Sequence, residues 1–202
     1  MNLAGYLALA VGAYLLGALP TGYLVGRAGR GVDVRQYGSG STGATNVMRL
    51  LGPLGFVLVF IGDFGKAFLA IWGAGALGFG PAGQALAGLM VLIGHNWPVF
   101  LGFKGGRGVA SGVGGLFALV PVPSAICLVT AAILMALTRY VSLGSIVGTA
   151  LSVPFTAWLV WQGQVPAEGG LRRPELEPVE VRRGTRSLIG GFEHLASVSA
   201  DG

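Results

Sequence analysis

Four apolar runs, each long enough to cross the hydrocarbon core of a lipid bilayer, limit most strongly what this chain can fold into. They cover approximately residues 3–26, 54–78, 82–101 and 142–162. A segment inside the bilayer must satisfy its backbone hydrogen bonds within itself, and an α-helix does so. A composition of 53% hydrophobic and 10% charged residues also differs from that of an ordinary soluble domain. The sequence therefore predicts an all-α, polytopic integral membrane protein.

A fifth apolar region, residues 108–138, is interrupted by the segment PVP at residues 121–123. A continuous helix does not absorb this segment, because proline removes a backbone donor and its ring clashes with the preceding turn. We interpret the region as two shorter helices that meet in a turn, which brings the predicted number of crossings to about six. The N-terminal run lacks the charged start and the cleavage site of a signal peptide, so we expect it to remain as a span.

Basic residues are concentrated in alternate loops of the predicted bundle. The loops at residues 27–49 and 102–107 contain Arg or Lys, as does the turn near residue 140, whereas the turns at 79–81 and 121–123 contain none. Short loops rich in basic residues stay in the cytoplasm. The pattern predicts a multi-pass protein with its N-terminus outside and both basic loops on the cytosolic face.

The first basic loop contains the glycine-rich segment GSGSTGATN at residues 38–46. It formally matches the dinucleotide fingerprint G-x-G-x-x-G, but the strand and the βαβ unit that this fingerprint needs are missing. Glycine backbone N–H groups, hydroxyl groups, the start of a helix and an arginine together favour phosphate. The alternative is a flexible loop whose arginine only sets the topology. The candidate residues are Ser39, Gly40, Thr45, Asn46 and Arg49.

The second basic loop repeats this composition in the segment FKGGRG, between two apolar runs. Two cations stand among glycines just before a helix whose first N–H groups are free to bind an anion. The segment is not a Walker A loop, because it lacks the G-K-[ST] ending. His95, shortly before it, is either a structural residue bonded to a nearby carbonyl or a ligand of the substrate. The candidate residues of the loop are Lys104, Gly105, Gly106 and Arg107.

Several segments resemble the bacterial acyl-phosphate:glycerol-3-phosphate acyltransferase family. The similarity covers approximately residues 5–160 and is carried by LGALPTGYLVGR, GSGSTGATNVMRLLG, DFGK, GHNWPVFLGFKGGRGVAS and SLGSI. In this family the two long motifs usually read G-S-G-N and G-G-K-G. Here Ser41 replaces the amide and Arg107 replaces the lysine, and both replacements keep hydrogen bonding or charge.

The resemblance implies an all-helical, multi-pass enzyme of the bacterial inner membrane, usually of seven helices, with a cytosol-facing active site. The implied reaction transfers a fatty acyl group from acyl phosphate to glycerol 3-phosphate and gives lysophosphatidic acid. No acyl-CoA, metal, cofactor or nucleic acid is expected to take part, membrane lipid is the surroundings, and the oligomeric state is left open. Arg49 and Lys104 are the expected catalytic residues. The other candidates of the two loops, His95 and Ser142 are expected to bind substrate, with a helix N-cap as the alternative role of Ser142.

The expected chemistry needs little from the protein beyond positioning and charge. An acyl phosphate is an activated mixed anhydride, so neutralising its leaving phosphate is the main task. The sequence has no G-x-S-x-G elbow, and Phe100 stands where the H-x-x-x-x-D signature of thioester-using acyltransferases has its aspartate. With no obvious histidine dyad, we expect a substrate phosphate to accept the hydroxyl proton. Asp63 and Lys66 lie within a span, where each either neutralises the other or faces a wet cavity.

Composition divides the chain into a membrane domain, residues 1–162, and a polar tail, residues 163–202. The tail has no apolar run and does not match the seventh helix and the final motif of the family. We expect it to be disordered or to reflect a truncated or frame-shifted reading. The alternative function is a transporter or channel for phosphate-bearing anions, although such a protein would bind its substrate near the bilayer midplane in two related halves.

Overall fold

The computed structural model describes residues 2–138 and residue 147 of the chain, and within these residues it is entirely helical, without a β-strand. Four segments are long and apolar enough to cross a membrane, which confirms the predicted polytopic helical class. The predicted run at 142–162, the tail and the domain boundary lie outside the described residues. The α-helices of the described part are α1 (Leu3–Ala18), α2 (Thr21–Arg30), α3 (Ala44–Ala76), α4 (Gly80–Asn96), α5 (Val109–Leu119) and α6 (Pro121–Thr138), with short 3-10 helices at Val34–Gln36 and Val99–Leu101.

The first predicted span, residues 3–26, is divided in the structure into α1 and α2. Pro20 stands at the division, where its missing N–H group and its ring end the ladder of α1. The last N–H group of α1, at Leu19, still bonds to the carbonyl of Leu16. The two helices together still form one candidate membrane span, Leu3–Arg30, as predicted. The break leaves the Leu19 carbonyl free to accept other hydrogen bonds.

Helix α3 begins ten residues earlier than the predicted span at 54–78 and contains a sharp kink. Gly52 adopts φ 75° and ψ −168°, a conformation that only glycine adopts readily, and Pro53 follows it. The kink separates a short N-terminal helix from the long apolar part of α3. The residues from Ala44 to the kink belong to the first basic loop region rather than to the apolar span.

The region 108–138 forms two helices, as predicted from the PVP segment. Helix α5 ends at Leu119 and α6 begins at Pro121, a first-turn position where the missing N–H group of proline costs nothing. Ser124 Oγ donates to the carbonyl of Val120 at 2.7 Å and helps to close the turn. Since α5 has only 11 residues, it is shorter than a full span.

Small residues let the helices approach closely. A Cβ atom at Gly17 of α1 would overlap the backbone of Val91 in α4, and one at Gly114 of α5 would overlap the carbonyl of Phe64 in α3. Close backbone approach of this kind is how helices associate where lipid gives no hydrophobic driving force. The close packing of α1 on α4 and of α3 on α5 provides the rigid support on which the two basic loops rest.

Candidate functional site

The side chain of Asn46 organises the first basic loop from inside. It is only 4% exposed. Its Oδ1 accepts a hydrogen bond from the backbone N–H of Ser39 at 3.0 Å. Its Nδ2 donates to the carbonyls of Val34, Tyr37 and Ser41, at 2.9, 3.0 and 2.8 Å. Because the amide is occupied on both sides by the loop backbone, its contacts favour a role in shaping the loop.

An ion pair between Asp33 and Arg35 stabilises the same loop. Arg35 Nη2 lies 2.7 Å from Asp33 Oδ2, and the backbone N–H of Arg35 donates to Asp33 Oδ1 at 3.0 Å. The hydrogen bonds from Arg35 lower the pKa of Asp33, and the bond to Asp33 raises the pKa of Arg35. Arg35 is therefore already paired within the protein, as is Arg27, which donates to Tyr23 and to the carbonyl of Gly31.

Arg49 borders an open cavity of about 220 Å³ on the surface of the first loop. The other lining residues are Tyr37, Gly38, Asn46 and Leu50. Gly38 has φ 57°, and a Cβ atom there would overlap Asn46 Oδ1, so the cavity needs glycine at this position. Arg49 is exposed and has no hydrogen bond or ion pair to another described residue. The cavity thus presents an unneutralised guanidinium beside a glycine-rich backbone.

The second basic loop is packed on the C-terminal end of α4. The N–H group of Gly105 donates to the carbonyl of Asn96 at 3.2 Å, and that of Gly106 donates to the carbonyl of His95 at 3.1 Å. A Cβ atom at Gly106 would overlap the Nε2 atom of the His95 imidazole. Only glycines therefore fit between the loop and α4, which explains the Gly-Gly pair between the two cations.

Lys104 and Arg107, on either side of that pair, are both exposed. Neither has a hydrogen bond or an ion pair to another residue in the described part of the chain. They do not border the cavity of Arg49. They stand as two further unneutralised cations next to the start of α5.

The two basic loops touch each other. The N–H group of Thr42 in the first loop lies 3.5 Å from the carbonyl of Gly105 in the second. Arg35 Nη1 donates to the carbonyl of Leu101 at 2.8 Å. These contacts place both loops at one end of the helix bundle, as the charge pattern predicts. Which side of the membrane this end faces stays a prediction.

Three buried polar side chains meet beneath the second loop. Lys66 Nζ lies 2.9 Å from Asp63 Oδ1 and also donates to the carbonyl of Leu19 at 3.1 Å. His95 Nδ1 lies 3.4 Å from the same oxygen of Asp63. The expected pairing of Asp63 with Lys66 is therefore confirmed. The proximity of His95 to Asp63 is a carboxylate–histidine pair that the sequence did not make obvious.

Most of the candidate residues lie in the two loops, but some are exposed to solvent and others are buried in the protein. Ser39 and Gly40 are exposed, Thr45 is half-buried, and Asn46 and His95 point into the protein. Ser142 lies outside the described residues. Sequence reasoning did not find the link between Asp63 and His95, because residues 32 positions apart share no spacing rule; the cost of an ionisable pair within a span was its only signal.

A membrane-embedded helical bundle with two glycine-rich, cationic loops at one end defines an integral membrane protein equipped for phosphate-bearing ligands. Residues 7–173 match the family model described as glycerol-3-phosphate acyltransferase. A glycerol-3-phosphate acyltransferase of Clostridioides difficile (strain 630) is 43% identical over 161 residues, covering 77% of this chain and 78% of that protein. One from Synechococcus sp. (strain CC9902) is 47% identical over 154 residues, or 76% of each chain. The chain belongs to the glycerol-3-phosphate acyltransferase family.

A solved structure agrees with this assignment. The crystal structure of PlsY (YgiH), an integral membrane glycerol 3-phosphate acyltransferase, in its glycerol 3-phosphate form aligns with a TM-score of 0.71 and 38% identity. The alignment covers 81% of this chain and 80% of that one. The lysophosphatidic acid form of the same enzyme aligns with a TM-score of 0.69. The chain is a multi-pass membrane acyltransferase, and nothing in these comparisons supports the transporter alternative.

Proposed function

We propose that the protein transfers a fatty acyl group from an acyl phosphate to glycerol 3-phosphate at the cytosolic face of the bacterial cell membrane. The product is lysophosphatidic acid, and the by-product is inorganic phosphate. The observation that carries the proposal is the direct contact between the two loops, through Thr42 and Gly105 and through Arg35 and Leu101. This contact gathers at one end of the bundle three cations that have no hydrogen bond or ion pair to a described residue.

The three cations are Arg49, Lys104 and Arg107, and their role is to neutralise the phosphate groups of both substrates. Acyl phosphate and glycerol 3-phosphate each carry negative charge, so their approach needs positive charge that the protein has not already used. An arginine binds phosphate in a two-pronged geometry, whereas lysine acts as a point charge. We assign catalytic roles to Arg49 and Lys104, and substrate binding to Arg107.

Backbone and hydroxyl groups complete the proposed phosphate sites. Ser39 and Gly40 are exposed in the first basic loop. Thr45 lies in the first turn of α3, where backbone N–H groups have no acceptor within the helix. Asn46 and His95 contribute by holding the loops in place, since their side chains face the protein interior. The remaining proposed binding residues are Gly105, Gly106 and Ser142.

In the reaction, the primary hydroxyl oxygen of glycerol 3-phosphate attacks the carbonyl carbon of the acyl phosphate. The bond between that carbon and the bridging phosphate oxygen breaks, and the phosphate leaves with the electron pair. We assign the hydroxyl proton to a phosphate oxygen. The burial of His95 supports this choice, because the residue is 6% exposed and its Nε2 is packed against Gly106. A substrate hydroxyl would have to displace the loop to reach it.

The test is acyl transfer by the purified chain in detergent, with palmitoyl phosphate or palmitoyl-CoA as donor. The proposal expects phosphate release and lysophosphatidic acid formation only when palmitoyl phosphate and glycerol 3-phosphate are both present. Use of palmitoyl-CoA at a similar rate would refute the donor assignment. Activity that appears only across sealed vesicles would refute the enzyme mechanism in favour of transport.

A further inference from the structure

Asp63, Lys66 and His95 form a buried network in which two side chains, not one, approach the same oxygen of Asp63. Asp63 is 2% exposed and Lys66 is 6% exposed, and both lie within the apolar part of α3. A carboxylate at this depth needs a partner, and Lys66 supplies it at 2.9 Å. Neutralisation alone therefore does not explain why His95 is directed at the same oxygen of Asp63.

His95 joins this network to the second basic loop. Its Nδ1 faces Asp63, while the Nε2 edge of the ring lies against Gly106 and the backbone carbonyl accepts the Gly106 N–H bond at 3.1 Å. A Cβ atom at Gly105 would overlap that same carbonyl. The Gly-Gly pair thus rests on both the imidazole and the backbone carbonyl of His95.

The position of the Gly-Gly pair matters for both loops. Lys104 and Arg107 flank the pair directly, so a shift of the pair moves both cations. The carbonyl of Gly105 is also the group that faces the N–H of Thr42 in the first loop. A change at His95 is therefore transmitted to the register between the loops.

We propose that Asp63 is a positioning residue for acyl transfer, which acts by holding the His95 imidazole with its proton on Nδ1. The carboxylate attracts that proton, and Nε2 is left without one where it meets Gly106. The ammonium group of Lys66 pairs with the carboxylate and balances its negative charge. Asp63 itself touches no substrate. The inference rests on the proposed function, because it assumes that Lys104 and Arg107 meet the substrates.

Two double variants separate positioning from neutralisation. Asp63→Asn with Lys66→Met removes both charges but keeps an oxygen that can accept a hydrogen bond from His95 Nδ1–H. Asp63→Leu with Lys66→Met removes both charges and the acceptor. Replacing both members of a buried pair by neutral groups of similar size avoids the uncompensated charge that a single substitution leaves behind.

We expect similar thermal midpoints for the two double variants but different kinetics. The Leu/Met variant should lose about 10- to 100-fold in kcat/KM, because small displacements of binding groups are costly in oriented reactions. The Asn/Met variant should stay much closer to the parent chain. Equal kcat/KM in the two variants would overturn the proposal. Ser124→Ala, which removes a buried hydrogen bond at the start of α6, is the control and should leave kcat and KM unchanged.

A spectroscopic measurement on the intact network does not depend on these variants folding. The chain has two histidines, so a His194→Gln background leaves His95 as the only one. Its ¹⁵N NMR shifts in detergent should show a protonated Nδ1 and an unprotonated Nε2. A proton on Nε2 would overturn the proposal. Absence of acyl transfer by the parent chain would refute the proposed function instead, and the tautomer would still test the positioning role.

Discussion

Arg49 offers the sharpest test of the proposed site, because its removal should affect catalysis and leave stability unchanged. The side chain is exposed, borders the cavity of about 220 Å³ and has no partner among the described residues. Arg49→Ala therefore breaks no hydrogen bond or ion pair within the described residues, and the free energy of unfolding should change by less than about 0.5 kcal/mol.

The catalytic effect follows from the loss of one charged contact to phosphate. Preorganised contacts of this kind are worth about 3–4 kcal/mol in closed sites. The cavity is half-open and solvent weakens charge interactions, so we expect about 2–3 kcal/mol here. This corresponds to a decrease of about 30- to 150-fold in kcat/KM. Arg49→Lys keeps the charge but loses the two-pronged geometry, so its kcat/KM should lie between that of the parent chain and that of Arg49→Ala.

The assay is initial-rate release of phosphate from palmitoyl phosphate at varied glycerol 3-phosphate, together with thermal unfolding of each variant. Arg30→Ala is the matched control, because Arg30 is an exposed cation at the end of α2 without a partner in the described part of the chain. The control should change kcat/KM by less than about twofold. Near-normal kinetics of Arg49→Ala, or an equal loss in Arg30→Ala, would refute the reasoning.

Three further predictions concern residues that hold the first loop in place: Gly22, Gly52 and Asp33. In Gly22→Ala the new Cβ would overlap the carbonyl of Thr42, so the thermal midpoint and the activity should both fall, with a loss of about 1–3 kcal/mol in stability. Gly52→Ala should also cost about 1–3 kcal/mol by unfolding measurements, because alanine strains the φ 75° conformation of the α3 kink. Hydrogen bonds from Arg35 lower the pKa of Asp33 in the folded state, so their stabilisation is complete above the unfolded pKa of about 4 and is lost as pH falls through the folded pKa. Thermal midpoints of Asp33→Asn should accordingly depend less on acid pH than those of the parent chain.

The helical membrane fold was predictable because bilayer thickness and backbone hydrogen bonding leave few alternatives for long apolar runs. The PVP segment was also interpreted correctly, since two prolines in three residues exclude a continuous helix. Pro20 carries the same physical signal within the first run. Hydropathy alone concealed the break there, because apolar residues, among them Leu19 and Leu24, occur on both sides of Pro20 within the run.

The candidate site was predictable in composition but not in orientation. Loop sequences identify Arg49 and Lys104 as cations near glycine, yet no local rule shows whether Asn46 faces a ligand or the loop backbone. The structure answers this through the carbonyls of Val34, Tyr37 and Ser41, which need donors and are close enough to receive them. Contacts of this kind depend on the path of the chain, which spacing in the sequence does not reveal.

The cost of desolvation explains why the buried polar groups bond to protein atoms while the exposed cations of the proposed site remain without protein partners in the described part of the chain. Asn46, Asp63 and His95 lie in the interior, where an unpaired polar group is expensive, so each directs its side chain towards protein atoms. The cations Arg49 and Lys104 remain in contact with water, where an unused charge costs little until a phosphate replaces the solvent. A site of this design binds an anion without first breaking an internal ion pair. We propose that its precision depends on the buried groups that hold the loops, so substitutions of these groups should impair catalysis.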